Sequence, residues 1–311
     1  MTLRGINWAT GEPMAEGAFD IFAAGAFKSC VVMSIMGPEL PREIRRRYPE
    51  ATIIARLYCD GDGLPDIDTI NAWDGYIKAV LPYTTLFQVD NEPDERCPNI
   101  FPEEYCLYWR AMVKSFRVKY PTAQFGFPMP SIKGAVSWAY ARRCQVGVDA
   151  ADWLAERAYA QEAWQWEDVM WARRYQRSNF FFDKPIHLCE IGSSNPNLSE
   201  AERVTQYESF LGSLPFYIGS ANLFIMAGSG EWDPIFGINA DMARAMRRGE
   251  PVPEDDGYSI GPGMFEAMER NGDAPVEEEH YIGDRESLCA GEKNLYIYSA
   301  GAGRVYKSPL A

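Results

Sequence analysis

The sequence contains little histidine, and its cysteines form no pattern typical of a metal site. Only two histidines occur among 311 residues, and the seven cysteines include no C-x-x-C pair. Zinc sites combine His and Cys ligands at short, fixed spacings, so we predict no metal site. An odd number of scattered cysteines predicts reduced thiols rather than a disulfide framework.

Positive charge and long apolar runs are scarce as well. The chain has 30 Lys and Arg against 44 Asp and Glu, a net charge of -14 and a pI near 4.7. This charge repels nucleic acid and anionic membrane surfaces, so we expect neither as a partner, and a neutral substrate fits better. No apolar run approaches a membrane span, and the start MTLRGINW lacks the features of a secretory signal. We therefore expect a cytoplasmic location, unless a leader was trimmed.

Apolar residues make up 47% of the chain, enough for a large core. Strand-like apolar runs alternate with helical segments, one of which begins with a capping box at Ser199 and Glu202. Eight such units predict a parallel sheet closed as a (β/α)8 TIM barrel. A doubly wound open sheet is the alternative, but neither GxGxxG nor GxxxxGK[ST] follows the first run. The eight runs are LRGINW, SCVVMSI, TIIARLY, LFQVDNE, QFGFPMP, ADWLAERAY, PIHLCEIG and ANLFIMAG.

The pattern changes near the C-terminus. Residues 1–272 hold the eight units, and residues 273–311 contain NLYIYS and RVYKS joined by the Gly-rich AGAG. Two β-type runs around a Gly-rich turn predict an antiparallel hairpin. We predict a barrel over 1–272 and a short C-terminal appendage over 273–311, packed on the barrel and too short to be an independent domain.

Two glutamates close predicted strands. Glu92 ends the fourth run in QVDNEPD, and Glu190 ends the seventh in IHLCEIGSS. Active sites of (β/α)8 barrels lie at the C-terminal ends of the strands, and two facing carboxylates are what hydrolysis of a glycosidic bond requires. Alternatively, Glu92 stabilises the start of the next helix and Glu190 forms a strand-end salt bridge.

NEP at the end of the fourth strand, with a glutamate ending the seventh, resembles the retaining β-glycosidases of clan A, the 4/7 superfamily. These include cellulase-like families and smaller relatives with an NEPD motif. The resemblance implies hydrolysis of a β-glycosidic bond in an oligo- or polysaccharide through a covalent glycosyl-enzyme. It makes Glu92 the general acid/base, Glu190 the nucleophile and Asn91 the partner of the sugar 2-hydroxyl. The mechanism needs no metal or organic cofactor.

Two further strand positions are candidates for the site. Arg56, in IIARLY, shares its strand face with Ile54, and a buried arginine needs carboxylate partners: Asp90, the two glutamates, or a purely structural ion pair. The resemblance places a His-x-Tyr pattern on the sixth strand, whose tyrosine orients the nucleophile. Tyr159 matches that tyrosine, although it could equally pack, and Arg157 replaces the histidine.

Tryptophans are the candidates for binding the apolar face of a sugar. Trp232, after the eighth strand, lies near the aromatic floor that the resemblance implies, and Trp166 and Trp8 are further candidates, each with core packing as the alternative. Trp164 and Trp171 are seven residues apart, which favours the core. His187 has the opposite strand parity to Glu190, so we expect it between strand and helix.

Two other functions stay open. A carbohydrate-binding barrel without catalysis would keep the aromatic residues but lack a close carboxylate pair. A Schiff-base aldolase needs a lysine at a strand end, whereas Lys133 lies in a loop after the fifth run. The sequence identifies neither the sugar, the linkage nor the oligomeric state.

Overall fold

The computed structural model describes residues 2–59, 61–248, 294–299 and 304–309. The chain divides into two units, Met1–Val252 and Pro253–Ala311. Among the described residues, no helix is both long and apolar enough to cross a membrane.

The first unit is a closed barrel of eight parallel strands, each paired with the next and the eighth with the first. This confirms the predicted (β/α)8 fold. The strands are β1 Leu3–Trp8, β2 Ser29–Met33, β3 Thr52–Leu57, β4 Leu86–Val89, β5 Gln124–Pro128, β6 Trp153–Ala160, β7 Ile186–Ser193 and β8 Ile218–Leu223.

Helices follow the strands, and two of them begin after a residue whose side chain caps the helix. Asp66 accepts a hydrogen bond from the Thr69 amide at 2.8 Å, and Ser199 forms the predicted capping box with Glu202. The helices are α1 Glu16–Ala24, α2 Glu39–Arg47, α3 Ile67–Val80, α4 Pro93–Arg96, α5 Pro102–Lys119, α6 Ala135–Arg142, α7 Gln145–Ala150, α8 Arg174–Phe182, α9 Glu200–Gly212, α10 Asp233–Phe236 and α11 Ala240–Arg248.

The lower part of the barrel interior is filled by a small apolar layer. Val31, Ile54, Trp153 and Cys189 pack there, each fully or almost fully buried. The Trp153 indole fits because Gly126 on the neighbouring strand has no side chain: a Cβ there would lie 2.5 Å from the ring. The polar ends of the strands lie above this layer, so the packed interior is a floor on which the site is built.

β7 contains an irregularity that determines which of its residues face inward. Glu156 pairs with Leu188, but Arg157 pairs with Glu190, so Cys189 is an extra residue on β7. A bulge of this kind resets the alternation of side chains along the strand. Cys189 therefore packs in the interior layer, while Glu190 still reaches side chains at the barrel mouth.

The expected position of His187 between strand and helix is wrong. Its ring lies 5.0 Å from the Trp153 ring, inside the barrel, and its Nδ1 is 2.9 Å from the Ser220 hydroxyl. The expectation assumed strict alternation from Glu190, which the bulge breaks. Desolvation lowers the pKa of His187 to about 4.

In the second unit, β9 Asn294–Ser299 pairs antiparallel with β10 Arg304–Pro309. The predicted hairpin is thereby confirmed. The predicted boundary after residue 272 lies outside the described residues, and the packing of this appendage on the barrel stays a prediction.

Candidate active site

Strands β3, β4, β6 and β7 bring charged side chains together at the C-terminal end of the barrel. Arg157 on β6 is at the centre and is fully buried. Its Nε lies 3.2 Å from Glu92 Oε1 and 3.2 Å from Glu190 Oε2. These two oxygens are therefore separated by at most twice that distance. The structure brings the two predicted glutamates into one site.

Glu190 is held by three donors. Arg56, on β3, forms a buried ion pair with Oε1, and the Tyr159 hydroxyl donates to Oε2 at 3.0 Å. The third donor is Arg157 Nε, also to Oε2. Burial on its own raises the pKa of Glu190, but the Arg56 and Arg157 charges and the hydrogen bonds outweigh it, and the net pKa is lowered. These contacts therefore favour the ionised form of Glu190.

Glu92 has the opposite electrostatic balance. Its side chain is 28% exposed, against 5% for Glu190. Desolvation raises the pKa of Glu92, and the negative charge of Glu190 raises it further, while the Arg157 charge opposes both. The net pKa is raised, so the two carboxylates are pushed toward different protonation states.

Asp90 stabilises the turn after β4 that carries Glu92. Both residues have left-handed backbone angles, with φ of 71° at Asp90 and 38° at Glu92, which ends the strand. Asp90 is almost fully buried and accepts hydrogen bonds from the Asn91 amide at 2.8 Å and the Tyr105 hydroxyl at 3.1 Å. It also forms an ion pair with Arg96 at 2.9 Å. Asp90 thus anchors the turn and is not the partner of Arg56.

Asn91 contacts the same arginine as the two glutamates. Its Oδ1 accepts hydrogen bonds from Arg157 Nη2 and, at 3.1 Å, from Gln88 Nε2. These two donors orient the amide so that its nitrogen is the group that can donate to a ligand.

Aromatic rings extend the site from Tyr159 toward the loop after β8. The Tyr159 ring lies 6.0 Å from Phe224 and 5.7 Å from Phe236. Trp232 packs on the same two phenylalanines and is 46% exposed. Phe224 was missed as a site residue, because the sequence places it at the centre of the eighth apolar run, whereas β8 ends at Leu223. We define Tyr159, Phe224, Trp232 and Phe236 as the aromatic cluster.

The predictions that Trp8 and Trp166 bind substrate are wrong, because both rings are buried and neither offers an exposed face to a sugar. Trp8 faces the helix layer, where it packs on Phe19 at 4.9 Å, since inward positions on β1 belong to the opposite parity. Trp166 packs on Phe210 of α9 at 5.0 Å, and its indole nitrogen donates to Gln206. The expectation for Trp164 was also wrong, because it is 55% exposed.

Metal binding has no candidate in the part of the chain that the structure describes. No group of three or more His, Cys, Asp or Glu side chains there is arranged to hold a metal ion.

The Tyr159 contact leads to a first prediction. Tyr159→Phe removes one donor to the charged Glu190, so the pKa of Glu190 should rise and the acid limb of any activity that needs ionised Glu190 should move to higher pH. Because a hydrogen bond to a charged group contributes about 1.5 to 3 kcal/mol, we expect activity at the optimum to fall by roughly ten- to a hundredfold. A pH–activity profile tests this, with Tyr108→Phe on α5 as the control; an unshifted acid limb would contradict the assignment.

No family model and no curated protein sequence matches the chain. Solved structures match the chain in fold. A family 128 subgroup I endo-β-1,3-glucanase of Amycolatopsis mediterranei, in complex with laminaripentaose, aligns at TM-score 0.54 and 14% identity over 79% of this chain and 100% of that one. A family 39 glycoside hydrolase of Bacteroides cellulosilyticus aligns at TM-score 0.58 and 13% identity, over 78% of this chain and 63% of that one.

A family 26 β-mannanase of Bacteroides ovatus aligns at TM-score 0.56 and 14% identity, over 80% of this chain and 88% of that one. At such identities the likeness shows the fold alone. The chain has the (β/α)8 barrel fold of these clan A glycoside hydrolases.

Proposed function

We propose that the chain is a retaining glycoside hydrolase that cleaves a β-glycosidic bond in an oligo- or polysaccharide. One observation carries the proposal: Glu92 and Glu190 contact the same arginine nitrogen, and their pKa values are shifted in opposite directions. Retaining enzymes hold their two carboxyl groups about 5 to 5.5 Å apart, and inverting ones roughly 6.5 to 9.5 Å. Oxygens that share a partner at 3.2 Å favour the shorter class.

In the first step, ionised Glu190 attacks the anomeric carbon while the glycosidic bond breaks. The leaving oxygen takes the proton of Glu92, so the alcohol departs neutral and Glu92 becomes a carboxylate. In the second step, Glu92 takes a proton from water as the water oxygen attacks the anomeric carbon. The ester bond to Glu190 breaks, its carboxylate is released, and Glu92 is protonated again. Two inversions give net retention.

The neighbouring residues suit a sugar bound between the glutamates. Asn91 has its Oδ1 occupied by two donors, so its side-chain nitrogen is the group that can donate to a sugar 2-hydroxyl. The exposed face of Trp232 and the Phe224 ring offer an apolar surface for the C–H face of a pyranose.

The two alternatives have less support. A binding barrel without catalysis has no need of a carboxyl pair with divergent pKa values. The aldolase requires a lysine that loses its proton easily, but Lys133 is half exposed and its hydrogen bond to Glu95 raises its pKa. An aldolase at this lysine is therefore disfavoured.

Substrates are best sought first among β-linked glucans and mannans. The family 128 neighbour is named as a β-1,3-glucanase and the family 26 neighbour as a β-mannanase. A panel of β-1,3-glucan, β-1,4-mannan and aryl β-glycosides, assayed for reducing ends, tests the activity. Binding without hydrolysis anywhere in the panel would favour the binding-barrel alternative.

The stereochemistry of hydrolysis gives a second prediction. Retention requires that the first-formed product be the β-anomer, which mutarotation then converts slowly to the equilibrium mixture. Proton NMR within the first minutes of reaction distinguishes the two anomers. Initial α-anomer from a β-glycoside would show inversion and remove Glu190 as a nucleophile.

A further inference from the structure

Arg157 contacts both carboxylates of the site, whereas Arg56 contacts one. Arg157 Nε is equidistant from Glu92 Oε1 and Glu190 Oε2, at 3.2 Å each. Arg56 pairs with Glu190 through Nη1, and its Nε and Nη2 have no hydrogen-bond partner among the described residues. Arg157 can therefore stabilise a negative charge on either glutamate through a direct ion pair, whereas Arg56 pairs directly with Glu190 alone.

The guanidinium of Arg157 is also held in place from its other side. Nη1 donates to the Met129 carbonyl after β5, and Nη2 donates to Asn91 Oδ1. The residue is completely buried, so its charge is poorly screened by water. Burial opposes that charge, but the carboxylates of Glu92 and Glu190 raise the pKa of Arg157 above its ordinary value. It is a permanent cation in a fixed position.

The proposed reaction moves one negative charge between these carboxylates. In the free enzyme the charge is on Glu190; in the glycosyl-enzyme Glu190 is an ester and the charge is on Glu92. A fixed cation equidistant from both oxygens stays beside the charge in both states. Arg56 pairs directly with it only in the first, and its charge acts on Glu92 more weakly than that of Arg157.

We infer that Arg157 is a positioning residue that keeps Glu92 ionised in the glycosyl-enzyme, so that Glu92 can act as the base of the second step. This inference rests on the proposed function. Desolvation favours the protonated form of Glu92, and the negative charge of Asp94 adds to it, while Arg157 is the largest opposing charge. A protonated Glu92 cannot accept a proton from water. Removal of Arg157 should therefore slow deglycosylation, in addition to its effect on Glu190 in the first step.

The test compares Arg157→Gln with Arg56→Gln on a 2,4-dinitrophenyl β-glycoside of the sugar that the substrate panel identifies. Its leaving group needs little protonation, so the first step depends mainly on Glu190. Arg157→Gln should show a burst of dinitrophenol, accumulate a covalent adduct detectable by mass spectrometry, and turn over at least roughly tenfold faster with azide, which needs no general base. Arg56→Gln should show none of these, because its first step becomes rate-limiting.

The pH profiles give a second readout. For Arg157→Gln the acid limb of kcat, which then reports Glu92 in the intermediate, should move upward by about 1 to 3 pH units. In kcat/KM, which reports the free enzyme, both limbs should move upward. Arg56→Gln should move the acid limb of kcat/KM more than its basic limb.

Arg157→Lys provides the conservative variant. A lysine keeps the charge but loses the planar fork, so adduct accumulation and the shift of the kcat limb should be partly reversed relative to Arg157→Gln. If circular dichroism shows that Arg157→Gln is unfolded, Arg157→Lys is compared with wild type instead. We then expect a smaller burst of dinitrophenol and a smaller upward shift of the acid limb of kcat.

Absence of both a burst and azide activation in the folded Arg157 variants would overturn the inference. A burst from Arg56→Gln as large as that from Arg157→Gln would overturn it as well. These outcomes are distinct from failure of the proposed function, which would show in the wild type as no hydrolysis or as an inverted product.

Discussion

Glu190→Ala is expected to lower hydrolysis by at least roughly 10⁴-fold, because without this carboxylate no glycosyl-enzyme can form. Its surroundings show why no other group replaces it: Arg56, Arg157 and Tyr159 are all donors aimed at the same carboxylate. Azide should restore turnover by entering the space of the missing side chain. It attacks from the face that Glu190 occupied and should give the α-configured glycosyl azide.

Two controls accompany this variant. Glu190→Ala leaves buried Arg56 without its carboxylate and Arg157 with Glu92 as its remaining one. Removing one partner of a buried ion pair costs about 3 to 5 kcal/mol. A thermal melt must therefore show that the protein is folded at the assay temperature. Glu167→Ala, a half-exposed partner of Arg173, should keep wild-type activity. Full activity in a folded Glu190→Ala protein would end the proposed mechanism.

Glu92→Ala is expected to have a large effect that depends on the leaving group. With a poor leaving group the loss should be roughly 10²- to 10⁴-fold, the usual contribution of general acid–base catalysis. With a dinitrophenyl glycoside the first step should continue, because that leaving group needs little protonation, and the covalent intermediate should accumulate. Azide should then react with the intermediate and release the β-configured glycosyl azide.

The pH profile of this variant tests the same assignment. Glu92 must be protonated and Glu190 ionised in the free enzyme, so activity should lie between the lowered pKa of Glu190 and the raised pKa of Glu92. The basic limb of kcat/KM should disappear in Glu92→Ala on the activated substrate, while the acid limb stays. Glu103→Ala, a half-exposed partner of Arg143, is the matched control. An α-configured azide from Glu92→Ala would reverse the two roles.

The local pattern of the chain was sufficient to predict the barrel and its two glutamates. Strand-like apolar runs and helical segments are short-range features, so eight alternations of the two predict eight βα units without tertiary information. Glu92 and Glu190 could be placed at one mouth because the C-terminal ends of parallel strands meet at one end of a barrel. Because side chains alternate along a strand, Arg56 was predicted to point inward with Ile54 and to meet a carboxylate, and it pairs with Glu190.

Side-chain contacts between distant strands could not be predicted in the same way. Arg157 was identified in the sequence only as a departure from a His-x-Tyr pattern; the barrel places it between Asn91, Glu92 and Glu190. The bulge at Cys189 reversed the expected side of His187, since one extra residue changes strand parity without any local signal in the residue types.

The aromatic residues show the same division. Trp8, Trp166 and Trp232 are equally apolar in the sequence, yet two are buried against helices and one is half exposed beside Phe224. Local sequence determined which residues end the strands and carry the charge, because alternation and turn residues are short-range properties. The tertiary structure decided which ring meets solvent and which cation lies between the glutamates, because those depend on packing between segments far apart in the chain.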